Sequence, residues 1–158
     1  ALPILEAPLT TLLELKARGL IRHIGLSNVT AKQVADAQKM TPIVCVQNLY
    51  NIAHRADDAL VDALAAQHIA WVPFFPLGGF TPLQAQELNE VAASLEATPM
   101  QVALAWLLSK PGVAAPIIGP SRQDQLDDLL QAVDLTLSPE QIDKLEAPYQ
   151  PHPVVGFK

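Results

Sequence analysis

The ends of four short apolar segments carry side chains that could bind a ligand together. The first two segments end in hydroxyl- and amide-bearing residues, which both donate and accept hydrogen bonds. The third ends in two aromatic rings and a glycine-containing loop, and the fourth ends in an arginine. In chain order these residues are Ser27, Asn28, Gln47, Asn48, Phe74, Phe75, Pro76, Leu77, Gly78, Gly119, Pro120, Ser121 and Arg122. The chemistry they offer is amide recognition, ring stacking and anion binding.

Such a set suits a ligand with a flat, amide-bearing ring at one end and a phosphate at the other, such as a nicotinamide dinucleotide. Arg122 stands at the start of an otherwise acidic helical pattern. A cation there opposes the helix dipole, whereas a bound anion would be met by both backbone N–H groups and the guanidinium. Simpler roles remain open: the polar residues could cap helices or satisfy loop backbone, the rings could pack in the core, and Arg122 could be solvated.

Short apolar segments alternate with helical patterns, which is typical of parallel α/β folds. The apolar segments predict buried strands at 21–27, 42–48, 69–75 and 114–119. Helices are predicted within 8–19, 30–40, 55–67, 82–96, 98–110, 121–133 and 138–147. Because binding sites of parallel folds form beyond the carboxyl ends of their strands, this order would bring the polar strand ends together. Four strands could form a small open sheet or half of an eight-stranded barrel.

Residues that favour helix ends mark several of these boundaries. Thr30, Thr98 and Ser138 are predicted N-caps, and a proline follows the last two at the first helical position. Ser138 and Gln141 have the spacing of a capping box. No linker rich in proline, glycine or serine divides the pattern, so we interpret residues 1–158 as one domain.

Composition and charge argue against several classes of protein. The 158-residue chain has a net charge of -6 and a pI near 5.0, which disfavours a nucleic-acid-binding surface. Half of its residues are hydrophobic, yet no apolar run reaches the roughly 18 residues that a membrane span needs. Cys45 is the only cysteine in the sequence, so an internal disulfide cannot form and a reducing cytoplasm is expected. No secretory signal pattern is recognised, which fits the same expectation.

Motifs of other enzyme classes are not found in the sequence. It contains no G-x-S-x-G element, P-loop or Rossmann glycine fingerprint. Cys45 lies within an apolar segment, where a buried and inert thiol is expected. The histidines lack the spacing of metal ligands, so no metal site is predicted. They are His23, His54, His68 and His152.

Four motifs resemble, in this order, those of the C-terminal half of an aldo/keto reductase. They are IRHIGLSN at 21–28, VCVQNLYN at 44–51, VPFFPLGG at 72–79 and PIIGPSRQDQL at 116–126. The resemblance covers nearly the whole chain and includes the LEAPYQPHPVVGF tail. It implies a parallel (β/α)8 TIM barrel, of which this chain would supply the second half as four βα units followed by a C-terminal tail at 148–158.

The resemblance also implies an NADP(H) site at the strand ends. Ser27, Asn28 and Gln47 match residues that hold the nicotinamide carboxamide, and Phe74 matches an aromatic residue that stacks on the nicotinamide. The other implied cofactor-binding residues are Phe75, Pro76, Leu77 and Gly78 over the pyrophosphate, Gly119 at the fourth strand end, Ser121 and Arg122 near the adenosine 2′-phosphate, and Gln125 and Asp128 beside the adenine and its ribose. The match near the 2′-phosphate favours NADP(H) over NAD(H).

The sequence departs from the family pattern at three of these positions. Phe74 replaces a common tyrosine, which keeps the stacking surface but loses a phenol hydrogen bond. Phe75 stands where a small serine is common and crowds the loop. Leu129 stands where an asparagine often contacts adenine, so the adenine end would be held less firmly.

The family's catalytic Asp, Tyr, Lys and His lie on the first four strands of its barrel, and no residue here is assigned to them. Tyr50 follows the second predicted strand and Tyr149 lies in the tail, so neither matches the tyrosine that acts as general acid. We therefore expect the cofactor-binding half of an NADP(H)-dependent reductase of aldehydes and ketones, active as part of a complete barrel. Its expected partners are a small carbonyl substrate and an N-terminal half-barrel or a second copy of itself. The alternative is a noncatalytic nucleotide-binding or self-assembling half-barrel.

Overall fold

In the computed structural model, which describes residues 5–79 and 85–147, helices and strands alternate as the sequence predicts. The helices there are α1 Glu6–Ala17, α2 Ala31–Gln38, α3 Asp58–Ala65, α4 Gln86–Ser94, α5 Pro99–Ser109, α6 Gln123–Leu130 and α7 Pro139–Glu146. The strands are β1 Ile24–Ser27, β2 Ile43–Gln47 and β3 Ala70–Trp71, and a 3-10 helix, Gln131–Asp134, follows α6. The predicted tail at 148–158 lies outside the described residues.

β1, β2 and β3 form one parallel sheet in that order. Ser27 pairs with Gln47, so β1 and β2 end at the same level. Gly25 allows the close approach of these two strands, because a Cβ at this position would lie 2.5 Å from the Cys45 Sγ. The predicted parallel arrangement is confirmed, and it aligns the strand ends that carry the polar residues.

The prediction of four full strands is wrong: the third strand is shorter than predicted, and the fourth segment does not form a continuous strand. β3 ends at Trp71, and 114–119 is not a continuous strand, although it lies beside β3. The Ala114 N–H donates to the Trp71 carbonyl at 2.9 Å, and the Ile117 N–H donates to the Pro73 carbonyl at 2.8 Å. Prolines in both segments lack the N–H that a continuous ladder requires, so pairing is reduced to isolated bridges.

The three predicted N-caps are confirmed. Thr30, Thr98 and Ser138 each accept a hydrogen bond from the backbone N–H three residues later, and each forms a capping box with a glutamine. α6 begins later than predicted, with Arg122 at its N-cap position and no side-chain cap. Arg122 is therefore the residue at which the extended backbone ends and this helix begins.

The core lies between the sheet and the helices packed on one of its faces. Trp71, Trp106 and Tyr50 are its largest fully buried residues. The Tyr50 ring stacks on Trp106 and meets Trp71 edge-on, with both centroid distances 5.8 Å. The other face of the sheet is less covered, since Val44 and Ile117 remain 40% and 44% exposed. Apolar surface is thus left open on this face.

α5 is the central helix of the core, buried from Gln101 to Leu107, and it packs against α4. Within the described part of the chain, no single helix is long and apolar enough to cross a membrane. α4 and α5 pass that test of length and composition only as a pair, which is bent by 92°.

Candidate cofactor-binding site

The carboxyl ends of β1 and β2 present three polar side chains next to one another. Ser27 pairs with Gln47, and the Asn28 backbone N–H donates to the Gln47 carbonyl at 3.0 Å. Ser27 and Asn28 are exposed, and Gln47 is half-buried. Within 5–79 and 85–147, none of these three side chains has a hydrogen-bonding partner. Their donors and acceptors are therefore available to a ligand that carries an amide.

Two aromatic rings occupy the turn after β3, beside this polar cluster. The Phe74 N–H donates to the Asn48 carbonyl at 3.1 Å, which holds the turn against the end of β2. Phe74 is half-buried and Phe75 is exposed, and their rings meet edge-on with centroids 5.4 Å apart. The Phe75 ring lies over Gly79, where a Cβ would come within 2.9 Å of it. The turn thus places aromatic surface next to the amide-bearing side chains.

The rest of the predicted pyrophosphate loop turns its side chains toward the protein. Pro76 is buried, and Leu77 packs against the core. Gly78 has a φ of 88°, and its N–H donates to the Phe75 carbonyl at 3.1 Å, which closes the turn. A ligand here would meet the loop backbone rather than the Pro76 and Leu77 side chains.

The start of α6 follows the same edge of the sheet, because Ile117 bridges to Phe74 just before it. Arg122 is exposed and forms a two-bond ion pair with Asp124, with Nε–Oδ1 and Nη2–Oδ2 distances of 2.9 Å. Asp124 raises the pKa of Arg122, and Arg122 lowers the pKa of Asp124. Gly119 is exposed, with open space where a side chain would be. Arg122 lies at the start of α6, and its guanidinium already has an anionic partner within the chain.

Two predicted adenine-side residues also have partners within the chain. Gln125 Oε1 accepts from the Ser121 backbone N–H at 3.0 Å. Asp128 accepts from Gln101 Nε2 through its Oδ1 and through its carbonyl, both at 2.9 Å. These contacts hold the start of α6 in shape and fasten its last turn to α5.

Two buried asparagines, Asn48 and Asn51, have contacts that the sequence did not predict. Asn48 is 6% and Asn51 0% exposed, and both reach from the segment after β2 to backbone atoms of neighbouring turns. For Asn48 this confirms the simpler interpretation that its amide satisfies loop backbone. Amide-bearing residues one and four positions after a buried strand were the available signal, but their partners depend on tertiary structure.

Tyr50 is held as a structural residue in the core. It is 1% exposed, and its hydroxyl donates to Asp58 Oδ1 at 2.7 Å. Burial and the Asp58 carboxylate raise its pKa well above the ordinary value of a phenol. Among the described residues, no group of three or more His, Cys, Asp and Glu side chains could hold a metal ion.

The chain resembles known oxidoreductases over most of its length. It is 59% identical over 142 residues to pyridoxine 4-dehydrogenase of Escherichia coli, an alignment that covers 90% of this chain and 50% of that protein. It is 35% identical over 133 residues to an uncharacterized oxidoreductase of Schizosaccharomyces pombe, covering 84% of this chain and 44% of that one. The chain thus spans about half the length of the curated relatives it matches.

Solved structures show the same fold. A thermostable aldo-keto reductase in complex with the inhibitor epalrestat superposes with a TM-score of 0.82 at 33% identity, covering 92% of this chain and 55% of that one. The aldose reductase of Giardia lamblia shares the fold, with a TM-score of 0.83 at 22% identity and coverage of 94% and 52%. The model of the aldo/keto reductase family matches residues 2–150. This chain, a partial α/β barrel with a cluster of polar and aromatic residues at its strand ends, therefore belongs to the aldo/keto reductase family.

Proposed function

We propose that this chain is the cofactor-binding part of an NADP(H)-dependent reductase that interconverts small carbonyl compounds and alcohols. The observation that carries the proposal is the cluster at the ends of β1 and β2, where three polar side chains with no hydrogen-bonding partner among the described residues lie beside two aromatic rings. We further propose that the chain forms the C-terminal half of the barrel. The order of its four motifs along the chain supports that assignment.

The residues present fit a nicotinamide dinucleotide in type and order. NADP(H) supplies the hydride, so the protein needs to bind the cofactor and orient its ring. Ser27, Asn28 and Gln47 would hold the carboxamide, which fixes the face of the ring that is presented to a substrate. Phe74 would cover one ring face and exclude water from it.

The remaining contacts would hold the rest of the cofactor. The backbone of the turn at 75–78 would lie over the pyrophosphate, and Gly119 leaves room for the chain to pass close to the ligand. Ser121 and Arg122 would meet the 2′-phosphate, where a guanidinium forms charge-assisted hydrogen bonds. Gln125 and Asp128 would border the adenosine while keeping their contacts within the chain.

The reaction also needs a proton donor for the carbonyl oxygen. Tyr50 does not meet this need, because it is buried and its hydroxyl already donates to Asp58. We propose that the donor comes from the other half of a complete barrel. The chain would then contribute binding and orientation, and its partner half would contribute the proton relay.

For the substrate, we propose an alcohol or aldehyde of the pyridoxine type, supported by the 59% identity to pyridoxine 4-dehydrogenase. The test uses the full-length protein, first titrated with NADPH by fluorescence and then incubated with pyridoxine and NADP⁺. We expect saturable NADPH binding and formation of NADPH from NADP⁺. Absence of NADPH binding would overturn the proposed function, whereas binding without pyridoxine oxidation would overturn only the substrate.

A noncatalytic nucleotide-binding module is the second proposal, and the buried state of Tyr50 favours it. Such a module would bind NADPH but would catalyse no NADPH consumption with any of a panel of aldehydes and ketones. Turnover of one such compound by the full-length protein would eliminate the module. Intact mass measured on the same sample establishes which chain was assayed.

A further inference from the structure

Asn48 and Asn51 extend from one short segment after β2 toward the two turns that flank it. Asn48 Oδ1 accepts from the Val29 N–H at 3.1 Å, and its Nδ2 donates to the Val29 carbonyl at 2.8 Å. The same Nδ2 donates to Asp57 Oδ2 at 2.8 Å. The amide thus closes a ring of hydrogen bonds on the residue that follows Asn28, and the Asp57 carboxylate fixes which way the amide faces.

Asn51 makes the corresponding contact on the other side. Its Nδ2 donates to the Phe75 carbonyl at 2.9 Å, while its Oδ1 accepts from the Ala53 N–H at 2.9 Å. The Phe75 carbonyl also accepts from the Gly78 N–H. It is therefore held both by its own turn and by Asn51 from the segment after β2. Since Asn51 is 0% exposed, water does not compete for these bonds.

Both turns contain a residue that needs to be held. Asn28 has a φ of 54° and Phe75 a φ of 51°, in the left-handed region that is uncommon for non-glycine residues and an outlier for a bulky side chain. Such conformations persist only where the surroundings fix them. In each turn, a buried asparagine bonds to the backbone at this residue or immediately after it.

We propose that Asn48 and Asn51 are positioning residues, which hold the two turns so that the Asn28 side chain and the Phe74 ring face the nicotinamide. This inference rests on the proposed function. Because both asparagines come from the same short segment after β2, they fix the turn after β1 and the turn after β3 relative to each other. In this role they act through Asn28 and the Phe74–Phe75 turn rather than by contacting the cofactor themselves.

The test uses two isosteric variants of the full-length protein, Asn51→Asp and the exchanged pair Asn48→Asp with Asp57→Asn, which avoids placing two carboxylates 2.8 Å apart. Each keeps the oxygen that accepts from a backbone N–H and replaces the donor that bonds a turn carbonyl. Affinity is measured for NADPH and for adenosine 2′,5′-bisphosphate, which carries the 2′-phosphate but no nicotinamide. We expect each variant to lose about tenfold or more in NADPH affinity and to keep its affinity for the bisphosphate within about twofold.

A matched control separates positioning from general stability. Ser138→Ala removes the N-cap of α7, a helix that packs on α4, and should lower the unfolding midpoint without changing either affinity. Equal losses for both ligands in the asparagine variants, including losses through unfolding, would overturn the inference. Unchanged NADPH affinity would overturn it as well. Failure of the wild-type protein to bind NADPH would instead overturn the proposed function.

Discussion

The ion pair between Arg122 and Asp124 sets a competition at the start of α6. Both side chains are exposed, at 69% and 72%, and the carboxylate occupies two of the donors of the guanidinium. A 2′-phosphate would need the same donors, so Asp124 would have to turn away or share them. The residue that suggests selectivity for NADP(H) is therefore restrained by a neighbour two positions along the chain.

Replacing Asp124 with asparagine should relieve this restraint. Because exposed ion pairs are weak, we expect Asp124→Asn to tighten NADPH binding by up to about fivefold and to leave NADH binding unchanged. Asp127→Asn is the matched control: it makes the same charge change on the same helix, where Asp127 accepts from Gln123 instead. Equal tightening in both variants would show a general charge effect rather than release of Arg122.

Removing Arg122 should act in the opposite direction. We expect Arg122→Ala to weaken NADPH binding by about tenfold or more while NADH binding changes little, because the charge-assisted bonds to the 2′-phosphate are lost. Isothermal titration with both cofactors measures the difference. Arg18→Ala, at the exposed C-cap of α1, controls for the loss of one positive charge. A loss of the same size for NADH would contradict a role at the 2′-phosphate.

At the scale of elements, a charged cluster fastens the end of α7 to the helical layer. Glu146 accepts from the Trp106 Nε1–H at 2.9 Å and pairs with Lys110 and with Arg55, the latter at 3.1 Å. Burial tends to raise the pKa of Glu146, but hydrogen bonds from Lys110 and Trp106 and the charge of Arg55 outweigh it and lower the pKa. The carboxylate is thus stabilised in its charged form in the folded state.

This lowered pKa gives the stability a pH dependence. The ordinary pKa of a glutamate is 4.5, and that of Glu146 in the folded state is lower. The contribution of Glu146 to the free energy of unfolding is therefore fully present above pH 4.5 and is lost as the pH falls through the folded-state pKa. Glu146→Gln should lower the free energy of unfolding at neutral pH by about 2 kcal/mol and flatten its fall in acid. Urea denaturation at several pH values measures both effects. Glu14→Gln, at an exposed position of α1, should leave the profile unchanged.

Local sequence signals predicted the helix caps, and tertiary contacts decided the rest. Thr98 with Gln101 forms its capping box within one turn of helix, so the pattern alone suffices. The pairing of 114–119 depends on its neighbour β3, and prolines interrupt the hydrogen bonds between the two segments. The apolar runs in the sequence therefore predicted longer strands than the structure contains. The hydrogen bond from the Asn51 side chain to the Phe75 carbonyl joins residues 24 positions apart, which no local sequence pattern encodes.

At the scale of the whole molecule, the less covered face of the sheet exposes apolar side chains. Val44 alternates with the buried Ile43 and remains 40% exposed, and Ile117 is 44% exposed. In a closed barrel this face would point into the interior and be filled by side chains. We propose that the other half of the barrel covers it in the full-length protein.

A pair of valines tests this coverage. We expect Val44→Asp to destabilise the full-length protein by about 2 kcal/mol or more, because a carboxylate would be buried without a partner. Val133→Asp is the control, since Val133 lies on the 3-10 helix after α6 and is 67% exposed. Chemical denaturation measures both. Similar, small effects at the two positions would mean that the sheet face meets solvent.

The aromatic cluster of the core has an optical consequence. The chain has two tryptophans, Trp71 and Trp106, and both are 0% exposed on either side of Tyr50. Their emission should be blue-shifted and shielded from aqueous quenchers, and it should move to the red only when the core opens. Nicotinamide emission, by contrast, would report on the strand ends. One fluorimeter can therefore follow folding and occupancy as two separate colours from the same sample.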